Sequence, residues 1–151
     1  MTEPARPLPV RKQDTLRRLE EDVDLWVATA SDDGTPYLMP LSFLWNGESL
    51  LISTAAGNPT AQNLQKNPTT HLTLGHTRDV THITATTTAV IPPEALTESE
   101  GDTFATKTGF DPRTLKSPYL YFRLLPTKIQ SWREVNELAT RTLMRDSTWL
   151  V

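Results

Sequence analysis

Apolar and polar positions alternate in short blocks along this chain, and most blocks are closed by Pro, Gly, Asn or Asp. Period-two alternation bounded by such residues predicts short strands, and apolar spacing of three predicts helix. Residues 1–11 carry Pro4, Pro7 and Pro9 and predict a flexible N-terminal arm. Lys12 to Asp22 (KQDTLRRLEED) reads as a helix with Leu16 and Leu19 as its apolar contacts. LWVATA (25–30) predicts a strand, SDDGTP a turn, and YLMPLSFLW (37–45) a second strand. Pro40 inside that strand cannot donate to a ladder, so it marks an edge, a bulge or a break. Asn46-Gly47 predicts a two-residue hairpin leading to SLLIST (49–54). Asn58 as N-cap and Pro59 at the first helical position start a short helix that Asn67-Pro68 ends. THLTLG (70–75) and VTHITATTTAV (80–90) pair about the loop from His76 to Asp79. A helix follows Pro92-Pro93 and stops near Gly109, and YLYFRLLPTKIQSW (119–132) is a strand interrupted at Pro126. The final stretch, REVNELATRTLMRDSTWLV, fits either helix or extended chain. Six or seven short strands with hairpin links and a few small helices predict a mainly β, partly closed antiparallel barrel. Residues 12–151 then form a single domain.

Composition narrows the function. A net charge of −3 argues against a nucleic-acid binder, which carries a basic stripe. No run approaches the ~18 apolar residues of a membrane helix, and MTEPARPLPVRK lacks the apolar core of a secretory signal. Without cysteine there are no disulfides, thiolate nucleophiles or cysteine-bound zinc. A cytoplasmic location is the expectation.

The three histidines carry the remaining metal and acid–base options. A hairpin symmetric about residue 78 sends His71 and His82 to opposite sheet faces, and a one-residue slip reverses that. Haem or metal binding at His71, His76 or His82 is therefore the minor expectation, against solvated or core-edge side chains. No P-loop, G-x-S-x-G or H-E-x-x-H motif occurs. Glu98, Glu100 and Asp102 suit a solvated helix face, and Glu134 and Glu137 suit surface pairing with Arg133 and Arg141. Trp26, Trp45 and Trp149 read as core anchors. Trp132 beside Arg133 combines a flat apolar face with positive charge, which suits a planar anionic ligand. The AAGN loop before Pro59 offers unsatisfied helix-start N–H groups and the hydroxyls or amides of Ser53, Thr54, Asn58 and Thr60. On physics alone, anion binding and plain capping both remain open there.

Read in order, the opening A-T-x-x-x-x-G-x-P, the strand end F-L-W-N-G, the S-T of the next strand and N-L-x-x-N-P resemble the pyridoxamine 5'-phosphate oxidase-like split-barrel flavoproteins. FATKTGFDPR, YLYFRLLPTKIQSWR and RTLMRDSTWL are similar to the later part of actinobacterial members. The resemblance spans residue 12 to the C-terminus. It implies a six-stranded antiparallel split β-barrel of Greek-key type, a homodimer with the cofactor at the interface, and FMN or the deazaflavin coenzyme. Some members bind haem and some bind no cofactor. Carried over by position, Met39, Pro40 and Leu41 lie beside the ring system. Ser53 and Thr54 meet the ribityl chain or phosphate, and Asn58, Thr60 and Asn63 belong to the phosphate loop. Trp132 and Arg141 reach the cofactor from the partner chain. The expected activity is that of an oxidoreductase on a small molecule, with the cofactor supplying the chemistry and no protein group named as acid or base. The alternative is a cofactor-poor barrel acting as a ligand-binding or regulatory module.

One departure stands out. The family's phosphate loop typically reads S-R-K where this chain has Asn58, Pro59 and Thr60, and the oxidases place an arginine and a lysine where Leu38 and Phe43 stand. Each charge-assisted bond contributes about 1.5–3 kcal/mol, so losing two weakens phosphate binding by at least an order of magnitude. Oxidation of pyridoxamine phosphate is accordingly not expected. Lys66, Arg78 and Lys107 are the candidate displaced bases.

Overall fold

The structure is a computed structural model and describes residues 3–151. The first two residues of the expected arm lie outside the described residues. The chain runs α1 (Leu8–Glu21), β1 (Asp24–Ala30), β2 (Pro36–Trp45), β3 (Leu50–Ala55), α2 (Pro59–Lys66), β4 (Thr69–His76), β5 (Asp79–Ile91), α3 (Glu98–Thr108), β6 (Tyr119–Trp132), β7 (Thr142–Arg145) and β8 (Thr148–Trp149). Strand order is β3-β2-β1-β4-β5-β6-β7-β8, and β3 also pairs with β6. The first six strands therefore close an antiparallel barrel, while β7 and β8 form a hairpin added to β6.

The inward positions of these strands supply one core: Leu25, Val27, Phe43, Leu50, Ile52, Leu72, Leu74, Ile83, Phe122, Leu124 and Ile129 are all buried. Leu19 of α1 and Leu64 of α2 pack into the same cluster. A smaller cluster of Leu44, Leu51, Phe104 and Tyr121 seats α3 on the outside of β2, β3 and β6. Thr97 caps α3 by accepting from the Glu100 N–H, and Gly109 ends it in the left-handed region at φ 73°.

Several local expectations shift. α1 begins at Leu8, four residues before Lys12, because Pro9 sits in the first turn where no N–H is needed. The segment before it is tied down rather than loose. The buried guanidinium of Arg11 donates to the carbonyls of Arg6, Ser131, Glu137 and Thr140 and to the Thr140 hydroxyl. The β2–β3 turn residues are Gly47 and Glu48, one later than expected. The Asn46 N–H meets the Ser49 carbonyl, while Asn46 Oδ1 accepts from the N–H groups of Glu48 and Ser49. Pro40 lies opposite Trp26, and β2 pairs with β3 only over Phe43–Trp45, so this proline occupies a free edge. The ambiguous tail resolves into a 3-10 segment, Val135–Thr140, followed by the β7–β8 hairpin.

Two side-chain readings are overturned. Trp26 is 48% exposed on the outer sheet face instead of anchoring the core. Glu137 is no surface residue: it is 2% exposed and pairs with Arg6 at 2.8 Å. That contact spans 131 positions, beyond the reach of any local pattern.

Candidate functional site

β2, β3 and the loop into α2 converge on a cavity of about 400 Å³. Pro40 and Leu41 enter from β2, Ser53 and Thr54 from β3, and Asn58 from the start of α2. Asp24, Ser42, Phe104, Phe110 and Tyr119 complete the wall. Five residues named from the sequence thus share one cavity. The five that sequence reading missed come from β1, β2, α3 and the segment entering β6, brought together by barrel closure, and no local pattern marks them.

The walls differ in character. Phe104, Phe110 and Tyr119, with Pro40 and Leu41, offer flat apolar surface, and the Phe110 and Tyr119 rings lie 5.6 Å apart. At the other side, Ser53 Oγ donates to the Leu120 carbonyl, and Asn58 Nδ2 donates to Thr54 Oγ1. The Thr54 hydroxyl therefore keeps its own proton for another acceptor. Asn58 Oδ1 accepts from no N–H of the first turn, so the side chain does not cap α2. Among the described residues, nothing accepts from the N–H groups of Thr60 or Ala61. Thr60 Oγ1 is also buried without a partner. The Thr54 hydroxyl proton is thus a free neutral donor on the cavity wall, whereas Thr60 and Ala61, 1% and 0% exposed, start the adjoining helix without lining the cavity.

Cations are missing from this wall. The one charged lining group is Asp24, whose Oδ1 accepts from Ser42 Oγ at 2.6 Å. Lys66 points to Asp32, 3.7 Å away, and Arg78 to Glu134, 3.8 Å away. Lys107 donates to the Leu19 carbonyl and stands 4.1 Å over the Phe43 ring, where burial pushes its ammonium pKa down. None of the three lines the cavity. Leu38 is exposed and Phe43 is core, so neither replaces the family's basic pair.

The remaining sequence-named residues lie elsewhere. Met39 is half-buried on β2 opposite Val27. Asn63 is buried, and its amide donates to Thr29 Oγ1, tying α2 to β1. Trp132 and Arg141 do meet each other, with the guanidinium carbon 5.9 Å from the ring centroid. They sit at the far end of β6 from Tyr119, on the order of 40 Å along the strand. Within one chain they do not reach the cavity.

The histidines take the slipped register. His76 pairs with Asp79 and Thr73 with His82, so His71 and His82 share the outer face and stack at 5.1 Å. Burial lowers the His82 pKa, with His71 and Lys128 acting in the same direction and Gln130 opposing. Parallel stacked rings do not converge their lone pairs on one point. Among the described residues, no group of three or more His, Cys, Asp or Glu is arranged to hold a metal ion. No helix among them is long and apolar enough to cross a membrane.

Comparison with known proteins agrees with this geometry. The family profile described as pyridoxamine 5'-phosphate oxidase matches residues 13–133. No curated protein sequence matches the chain. Among solved structures, an F420 reductase is similar at 18% identity and a TM-score of 0.63, over 75% of this chain and 93% of that one. A putative pyridoxamine 5'-phosphate oxidase from Listeria innocua is 17% identical with a TM-score of 0.62, over 83% and 98%. A FAD-binding protein from Mesorhizobium loti is 17% identical with a TM-score of 0.59, over 78% and 89%. At these identities the likeness establishes the fold.

Proposed function

The chain belongs to the pyridoxamine 5'-phosphate oxidase family, and from that premise we propose that it is a cytoplasmic, homodimeric oxidoreductase that uses FMN or the deazaflavin coenzyme on a small molecule. The observation that supports this reading is the convergence of Pro40, Leu41, Ser53, Thr54 and Asn58, from three elements, on one cavity. The names of two similar structures, an F420 reductase and a FAD-binding protein, point the same way.

In this reading Pro40, Leu41, Phe104, Phe110 and Tyr119 hold a planar ring and exclude water from one side of it. Thr54, with Asn58 at the start of α2, orients the phosphate. Asp24, held by Ser42, lies on the wall where a substrate donor or cation is recognised. The bound cofactor would supply the hydride or electron chemistry. The second copy would cover the outer face carrying Trp26 and Leu38, 48% and 57% exposed, and bring its own Trp132 and Arg141 toward the cavity.

Titration of the purified protein with FMN and, separately, with the deazaflavin coenzyme tests this, followed by cofactor and tryptophan fluorescence. Saturable micromolar binding of one supports the reading and identifies the cofactor. Binding of neither would transfer the protein to the cofactor-poor, ligand-binding class that the cation-free wall also suits. A Soret band with added haem would assign it instead to haem binding.

A further inference from the structure

We infer that Lys116, in the loop between α3 and β6, supplies the cation that the phosphate loop lacks. This rests on the flavin-site reading above and assigns one residue within it. The chain has fifteen lysines and arginines. Among the described residues, twelve already face a carboxylate, a carbonyl or an aromatic ring, and three have no such partner: Lys116, Lys128 and Arg145. Lys128 lies on the outer sheet face opposite Thr84, and Arg145 lies in β7 beside the final hairpin.

Lys116 alone of the three adjoins the AAGN loop. The Pro118 carbonyl accepts from the Ala56 N–H at 3.0 Å, and Tyr119 pairs with Ala55. Lys116 precedes Pro118 by two residues, so their Cα atoms are at most about 7 Å apart. Tyr119 lines both the proposed cofactor cavity and a neighbouring one that Lys116 lines. The ammonium sits on a flexible four-carbon stem and is exposed. It therefore has the freedom to swing to an anion at the start of α2. Glu94 shares the neighbouring cavity and makes no ion pair with it. Asp24 is the carboxylate on the cofactor side. The family's bases stand on the phosphate loop and the second strand; here the charge comes from the loop that leads into β6, the strand paired with β3.

The test compares binding of FMN with riboflavin, and of the deazaflavin coenzyme with phosphate-free deazariboflavin, to the parent protein, Lys116→Ala, Lys116→Arg and Lys128→Ala. The expected result is a loss of about tenfold or more in affinity for the phosphorylated ligand in Lys116→Ala. The phosphate-free ligand should be unaffected, Lys116→Arg should retain affinity, and Lys128→Ala should match the parent. Because Lys116 is exposed and unpaired, all variants should melt with the parent. If the parent prefers the phosphorylated ligand and Lys116→Ala binds it unchanged, the assignment is wrong while the site stands. Equal affinity of the parent for both ligands also overturns the assignment. Binding of no ligand overturns the site and the assignment together.

Discussion

Replacing Glu137 with Gln removes one buried charge while keeping its shape. Glu137 Oε1 accepts from the N–H and Nε of Arg6, both at 3.0 Å. Its Oε2 accepts from Arg6 Nη2 at 2.8 Å and from the Arg133 N–H at 2.9 Å. The Arg6 side-chain bonds lead in holding the carboxyl at about 2 against an ordinary 4.5; burial opposes them, and the two backbone N–H groups add to them. At about 1.4 kcal/mol per tenfold, that separation corresponds to about 3 kcal/mol of folding stability. Breaking a buried ion pair by removing one partner costs a similar amount, about 3–5 kcal/mol. Arg6 keeps Asp14 at 3.0 Å, which favours the lower end. The folded carboxyl titrates below the unfolded one, so the contribution is complete above about 4.5 and fades as pH falls through about 2. Urea unfolding at pH 7 should find Glu137→Gln less stable by about 2–3 kcal/mol, with the gap to the parent closing toward pH 2. A gap under about 1 kcal/mol at pH 7, or one of constant size from pH 6 to 2.5, would refute the reasoning.

Gly75 has φ +81°, and a Cβ there would come 2.0 Å from the Asp79 carbonyl oxygen. Gly75→Ala should therefore cost more than about 1 kcal/mol in chemical denaturation, and a neutral result would contradict the hairpin geometry. Trp26→Ser should leave the melting temperature near the parent's, because the ring is on the surface, and should weaken self-association by about 2 kcal/mol or more if a second copy covers it. Sedimentation at several concentrations reads this, and an unchanged monomer–dimer balance would remove Trp26 from the interface.

How much was legible in the sequence depended on the range of the interaction. The core strands were readable because alternation and turn residues are local: LWVATA, SLLIST and the start of α2 at Pro59 fall within a residue of their observed limits. Pro40 limited its position to an edge, a bulge or a break because it lacks an N–H, and the pairing of β2 decided for the edge. The hairpin between β4 and β5 was fixed only to within one residue, and that single step decides whether His71 and His82 part or stack. Glu137 looked like a surface charge because its ion-pair partner, Arg6, lies 131 residues away.

By itself, then, the sequence determined the element order as far as β6, the mainly β character, the family motifs and the loss of the basic phosphate loop. These rest on contacts within a few positions or on residue identity alone. Only the tertiary structure decided which residues share the cavity, since Asp24, Phe104, Phe110 and Tyr119 reach it through barrel closure of β3 on β6 and the docking of α3. It also decided which cations remain without a partner, because ion pairing is settled by proximity in space, and proximity in space follows from the fold rather than from neighbours in the chain.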